Sequence, residues 1–351
     1  MNDASVQPFG AALGPLPGIS VILPVFWRDG SVKAIRRLRA ALASVAIQAC
    51  ANPLEVVLVD DGSSVEVASL AAQLGVPDGG PLVVQWVRHP ANRGLVAALN
   101  TGLRAARYPL IARLDADDQW CEGKLASQLA LFTADPELSI TATGMARVHE
   151  DGSPLDTHIR PGHWDGILRF FIEGGCPFPH GSVLARRDVF LALGGYPHDA
   201  MVRHCEDYAL WGSWLRFFKP AMVEAALYRY TVSTGSLSGR HADQQAAASQ
   251  LVRRRFEILE LAEVLPRYLP LLAEALRCST LQAGLLCYVM WQNPSATIAL
   301  PEAAQEPLWA LLPDRVLEAM PQAAARPWWD VVGMADPGGG LPLGLRAGPI
   351  R

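Results

Sequence analysis

The chain has 351 residues, half of them apolar, with 30 basic against 34 acidic residues and a formal net charge of -4. That make-up is the make-up of a packed globular protein of one large or two ordinary domains, not of a disordered chain. It argues against a nucleic-acid binder, which needs a basic face to offset phosphate repulsion.

The opening stretch, MNDASVQPFGAALGPLPG (1–18), lacks the charged-then-apolar layout of a signal peptide and reads as a flexible leader. ISVILPV (19–25) is short, apolar and rich in β-branched residues, the pattern of a strand covered on both faces. SVKAIRRLRAALASVAIQ follows, with Val32, Ile35, Leu38, Leu42 and Val45 at helical spacing and arginines opposite. LEVVLVD (54–60) is a second buried strand. A helix is expected from about Val65 to Leu74, then strand LVVQWV (82–87), helix GLVAALNTGLRAA (94–106) and strand PLIARLD (109–115). Four strand–helix alternations predict a parallel sheet with helices on both faces, because parallel strands need crossover connections.

Beyond residue 136 the pattern loosens into α+β material. The spacing predicts a strand at LSITATG (138–144), a polar segment at HEDGSPLD, helices at WDGILRFF and EDYALWGSWLRFF, and a strand at MVEAALYRY (222–230). STGSLSGRHADQQ reads as a linker or mobile loop, and residues 243–291 carry helical spacing. The resulting layout is a leader at 1–18, a main domain at 19–240, a helical C-terminal extension at 241–335 and a Gly/Pro-rich tail at 336–351. No run reaches the roughly 18 apolar residues that span a bilayer. Six cysteines, without CxxC or zinc-type spacing, read as reduced thiols of a cytoplasmic protein, one able to sit peripherally on the inner membrane face.

The acids of the α/β half fall at strand ends, where ligands of such sheets bind. Asp60 and Asp61 open DDGSS after the second strand, and Asp115 and Asp117 close LDADD after the fourth. Carboxylates two apart can offer hard oxygen ligands to Mg²⁺ or Mn²⁺, with a substrate diphosphate completing the shell. An isolated pair of this kind is more often a solvated Asp-rich turn or a helix N-cap, and Asp118 reads as such a cap under either reading. In NRG, Gly94 allows close backbone approach at a helix start and Arg93 can meet phosphate or an acid; Asn100 and Gly102 lie further along. Glu206-Asp207 opens an amphipathic helix, where an acid is commonplace but can also act as a general base. His180, Trp211 and Trp214 read as structural when taken alone.

Taken in order, VILPVF, VDDGSS, NRGLVAALNTGL, ARLDADD, GGY and CEDYALW resemble family 2 glycosyltransferases of the GT-A fold, from about Ile19 to Ser236. The resemblance implies a mixed, mainly parallel sheet flanked by helices, here with a C-terminal helical extension. It implies a nucleotide-diphosphate-sugar donor, a saccharide or lipid-linked saccharide acceptor, a divalent metal (Mn²⁺ or Mg²⁺) and inversion at the anomeric carbon. On the family's pattern Pro24 and Phe26 line the nucleotide pocket, Asp60 or Asp61 contacts the base, Asp115 lies near the ribose and Asp117 at the metal. The ED pair corresponds to Glu206 and Asp207, with Asp207 as base. His180 falls near acceptor or donor sugar, and Arg229 precedes a loop like the family's lid over the diphosphate. The family's commonest setting is bacterial surface polysaccharide or glycolipid synthesis.

Two rivals belong to other classes. A nucleotidyltransferase forming nucleotide sugars would carry a Gly-rich, basic loop after the first strand, where this chain has PVFWRDGSVK. A non-catalytic nucleotide-sugar-binding module would bind donor without turnover. The C-terminal third matches no motif; Arg253-Arg254-Arg255 reads as a solvated helix face or a contact for anionic lipid.

Overall fold

The computed structural model describes residues 8–15, 17–48, 52–76, 82–233, 242–258, 260–295, 298–320 and 327–332. The 234–241 stretch of the expected linker, Ser236 included, and the whole 336–351 tail lie outside the described residues. The chain divides into two compact units. One contains residues 13–213 and 220–255; the other contains 214–219, the described part of 1–12, and the described residues from 256 onward.

The larger unit is built on a mixed sheet. β1 (Ile19–Val25), β2 (Leu54–Asp60), β3 (Val83–Arg88) and β4 (Leu110–Arg113) run parallel in the order β3-β2-β1-β4. Every residue of β1 and β4 is buried, as expected of mostly apolar strands covered on both sides, and the burial extends to Ser20 and Arg113. Beyond β4 the sheet continues through antiparallel β8 (Leu184–Arg186) to β6 (Ile140–His149), then β9 (Pro220–Val232) and β5 (Gln119–Trp120). β7 (Pro154–His158) pairs with β6, so the polar segment HEDGSPLD is the turn and second arm of a hairpin. β9 pairs parallel with β6 along its length and antiparallel with β5 near its end.

The crossovers are helical. Ser31 caps α1 (Val32–Ala46) by accepting the Ala34 N–H, and Leu38, Leu42 and Val45 bury its apolar face. α2 (Leu95–Ala105) buries Leu99, Asn100, Gly102 and Leu103. Later come α3 (Lys124–Ala134), α4 (Trp164–Ile172), α5 (Arg187–Ala192), α6 (Glu206–Leu215) and α7 (Ala242–Arg254). Because α7 falls in the larger unit, that unit runs past residue 240, the boundary read from the sequence, to residue 255.

Two local expectations need correction. The helix expected over 65–74 is only a 3-10 turn at Val67–Leu70. Its β-branched and serine positions favour helix weakly, and Val67 and Leu74 are its well-buried anchors. Asp118 is not the cap of α3, whose N-cap is Gly123 in the left-handed conformation. Its carboxylate turns inward and accepts the Thr231 N–H at 2.7 Å and the Tyr228 hydroxyl.

The smaller unit is helical, with helices at Leu261–Leu276, Thr280–Gln292, Glu302–Leu311, Asp314–Ala319 and Trp328–Val331. Ser279 and Gln282 form a capping box at the start of the second. Buried Arg216 donates to the carbonyls of Phe256 and Leu311, and Phe9, within the expected leader, is buried beside Phe218. None of the described helices is long and apolar enough to cross a membrane.

Gly62 links fold to site. It has φ +74°, and a Cβ there would lie 2.4 Å from the Ala91 carbonyl carbon. We expect Gly62→Ala to cost at least about 2 kcal/mol, since backbone strain and a backbone clash add. Urea denaturation monitored by circular dichroism would read this as a lower midpoint at unchanged slope.

Candidate active site

The carboxyl ends of β1, β2 and β4 present Pro24–Phe26, Asp60–Ser63 and Asp115–Asp118 along one edge of the sheet. Pro24 is buried within β1, whereas Phe26 remains 43% exposed just beyond it. Asp60 and Asp61 are each only 3% exposed. Asp60 accepts the N–H groups of Ser63 (2.8 Å) and Val67 (3.2 Å) and pairs with Arg88 at 3.2 Å, closing its own loop. Asp61 accepts the N–H groups of Arg93 (2.9 Å) and Gly94 (2.8 Å) at the entry to α2 and meets His89 Nδ1 at 2.6 Å. His89 Nε2 in turn lies 3.0 Å from Thr101 Oγ1. The Arg93 side chain is exposed beside this loop.

Arg113 is the positive charge among the clustered aspartates. It sits in an otherwise apolar strand at 2% exposure, and its guanidinium is paired with Asp115. Burial works to discharge it, but the ion pair prevails and its pKa is raised. Its Nε is buried with no hydrogen-bond partner among the described residues. Asp117 is held above the usual carboxylate range by burial and by neighbouring Asp115, against the pull of Arg37 and Arg113. Asp118 is pushed well above it by burial and by both other acids, despite its two donors. Thr231 Oγ1 also donates to the Asp117 carbonyl at 2.7 Å, so β9 fixes the turn.

The same buried cation reaches the second acidic element. Arg113 acts electrostatically on His180, Tyr196, Tyr228 and Asp207. Burial, then Arg113, holds the His180 imidazole well below its ordinary pKa, which keeps it neutral. His180 Nε2 lies 2.8 Å from the Tyr196 hydroxyl; its Nδ1 lies 3.9 Å from Asp207 Oδ2, too long for a hydrogen bond. Tyr196 is set by Asn100, which exchanges two 2.8 Å hydrogen bonds with its backbone. Gly195 (φ +77°) makes this approach possible, for a Cβ there would fall 2.4 Å from Asn100 Oδ1.

Asp207 stands in the first turn of α6 after Glu206 and accepts the Tyr208 N–H at 2.8 Å. Burial, then the Glu206 charge, pushes its carboxyl up to about 6. Trp211 on the same helix is fully buried and edge-on to Phe178 and His180, and Trp214 is likewise buried, so both are core residues.

The structure therefore brings Asp115, Asp117, His180 and Asp207 around Arg113, and gives Asp60 and Asp61 internal partners. Arg229 lies elsewhere. Its strand neighbour Tyr228 points to Asp118, so alternation turns Arg229 to the other face, into a groove of about 490 Å³ with Ser44, Ile47, Trp120 and Glu122. From sequence Tyr196 reads only as part of a structural Gly-Gly-Tyr turn and Tyr228 only as leading into a lid-like loop, and neither Arg113 nor Thr231 is given a role. An arginine inside an apolar strand was the available signal for Arg113. Of the basic triplet, Arg253 donates to Tyr208 Oη (3.2 Å) and Arg255 pairs with Asp199 (3.6 Å), while Arg254 is exposed.

The model for glycosyl transferase family 2 matches residues 20–194, from the first strand to the Gly-Gly turn before Tyr196. The chain belongs to that family. Among its relatives is the amylovoran biosynthesis glycosyltransferase AmsE of Erwinia amylovora, 30% identical over 46% of this chain and 57% of the relative. The succinoglycan biosynthesis protein ExoU of Rhizobium meliloti is 31% identical over 57% of this chain and 60% of the relative. The alignments with these two thus span less than two thirds of either relative. Staphylococcus aureus TarS 1–349, solved in complex with UDP-GlcNAc, superposes at TM-score 0.50 with 15% identity, covering 84% of each chain. The fold is GT-A, with C-terminal helices.

A family 2 GT-A site implies a divalent cation. Among the described residues no group of three or more His, Cys, Asp or Glu is arranged to hold a metal by itself. Asp117 nonetheless suits the purpose: it is half-buried, its proton affinity is raised by desolvation and a neighbouring acid, and its carboxylate receives no donor from another described residue. Such an oxygen gains from a cation whose remaining ligands come from a substrate.

The raised Asp207 pKa has a stability consequence. The unfolded carboxyl ionises near 4 and the folded one near 6, so the folded state binds the proton more tightly. This favours folding at low pH and is lost as pH rises to about 6 and beyond. Asp207→Asn should therefore stabilise the chain by about 1–3 kcal/mol at pH 7.5 and by much less near pH 4. Paired denaturation curves at the two pH values measure the difference.

Proposed function

We propose that this chain transfers a sugar from a nucleotide-diphosphate donor to a hydroxyl of a saccharide or lipid-linked saccharide, with inversion. The observation that carries the reading is the Asp207 carboxyl, half-buried in the first turn of α6, pushed up to about 6 and lying in the field of the same buried arginine as the Asp115–Asp117 turn. A base poised near neutrality serves proton abstraction best. The relatives named for amylovoran and succinoglycan biosynthesis support a setting in bacterial polysaccharide synthesis.

In this reading the donor's nucleotide lies along the edge formed by Pro24, Phe26 and the Asp60–Asp61 loop. Phe26 offers an exposed ring for the base, and exposed Arg93 a charge for phosphate. Asp60 and Asp61 act by fixing the loop that meets the base, and Asp115, tied to Arg113, lies toward the ribose. Asp117 would hold the divalent cation, which when bound supplies Lewis-acid stabilisation to the leaving diphosphate. Asp207 takes the proton of the acceptor hydroxyl as it attacks the anomeric carbon from the face opposite the leaving group. Glu206 keeps the base's affinity for that proton high. His180, neutral and bonded to Tyr196, shapes the pocket beside the base without competing for the proton.

Release of sugar from a panel of UDP-, GDP- and dTDP-sugars, with and without Mn²⁺, tests the reading. Failure to cleave any donor would leave a binding module. With an active donor, Asp207→Asn should retain donor affinity and lower turnover by about 10²–10⁴, the range for loss of a general base. The wild-type rate should fall below an apparent pKa near 6, because the base works only when ionised. Asp117→Ala should weaken Mn²⁺-dependent nucleotide binding in calorimetry while leaving the metal-free heat unchanged.

A further inference from the structure

α7 and the segment that carries Asp207 both lie beyond the family match, and one face of α7 follows that segment. Gln245, Ser249 and Arg253 are spaced at i, i+4 and i+8, so they form a single ridge. Gln245 Nε2 donates to the His204 carbonyl at 2.8 Å. Ser249 Oγ lies 3.4 Å from Cys205 Sγ. Arg253 donates to the Tyr208 hydroxyl, which itself donates to the Phe171 carbonyl. The three contacts bracket Glu206 and Asp207 from both sides. One turn further along, Val252 meets Gly212, where a Cβ would come within 2.5 Å of its side chain.

The bracketed segment is strained. His204 has φ +63°, a left-handed conformation that a residue bearing Cβ seldom adopts. Such a conformation persists only where surrounding contacts over-determine it. The Gln245 amide holds the carbonyl of that residue, three positions before Asp207 and immediately ahead of α6. If His204 relaxed to negative φ, the first turn of α6 would rotate and carry the carboxylate with it.

We propose that α7 is a clamp that aims the Asp207 carboxylate by holding His204 in its left-handed conformation, with Gln245 as the positioning residue. The proposal rests on the reading of Asp207 as the base. Gln245 touches no reacting atom; it acts through the backbone of 204–207.

The test uses the full chain and two substitutions that keep side-chain length, Gln245→Met and Gln245→Glu, neither of which can donate from its end when Glu is ionised. In crystal structures, φ at position 204 should leave the left-handed region in Gln245→Met and the Asp207 carboxylate should move. With whichever UDP-, GDP- or dTDP-sugar the wild type cleaves, kcat should fall about tenfold while donor KM stays within about twofold, as expected for misaimed chemistry. His204→Gly removes the conformational penalty, so adding Gln245→Met to that background should cost less than about twofold. Equal losses in both backgrounds, or an unmoved 204–207 backbone in Gln245→Met, would overturn the clamp. Gln245→Glu takes its place under the same criteria if the Met variant fails to fold. Full activity of Asp207→Asn, or no cleavage of any donor, would remove the base reading instead, and the crystal comparison at residue 204 would still decide whether α7 sets this backbone.

Discussion

A buried arginine organises the site. Arg113 comes in on a buried strand, only 2% exposed, so its charge is met within the protein, and Asp115 meets it. Removing two charges from water costs several kcal/mol per ion before their attraction is counted, so such a pair is poor value as a device for stability alone. Its worth lies in what it does to its neighbours. It draws one acid of the Asp115–Asp118 turn into an ion pair, and its field falls on His180, Tyr196 and Asp207. Two acidic elements nearly a hundred residues apart thereby answer to one fixed cation.

Around that cation the remaining polar groups are arranged to be satisfied without flexibility. Asn100 holds the backbone of Tyr196, Tyr196 holds His180, and β9 holds Asp118 through Tyr228 and Thr231. Each link is short and mostly buried, the condition under which hydrogen bonds specify one conformation rather than many. Asp117 differs, since no other described residue donates to its carboxylate. Left with raised proton affinity, it is the member of the cluster with most to gain from an incoming cation.

The α/β half of the fold is legible in sequence because buried parallel strands announce themselves as nearly continuous apolar runs. ISVILPV and LEVVLVD became β1 and β2 within the expected bounds. The 65–74 helix was misread because apolar residues at plausible spacing were credited with a burial that only Val67 and Leu74 achieve. At the site, the acids at strand ends were visible, whereas their partners were not. Asp118 looked like a helix cap because its true donors, Tyr228 and Thr231, lie more than a hundred residues away. Arg229 reads in sequence equally as a diphosphate contact or a surface strand residue, because sequence order says nothing about which face of β9 it occupies. Arg113 was the most informative residue passed over: an arginine in the middle of a buried strand must have a reason.

The internal commitment of Asp60 and Asp61 separates two jobs that a sequence motif would merge. With each oxygen engaged by backbone N–H groups, Arg88 or His89, these acids belong to the architecture of the loop. Side chains left outside that network, Phe26 and Arg93 above all, can vary without loosening it. The acid pair is thus pinned by the demands of closing its own turn, and the surface around it is open to change at little cost to the fold.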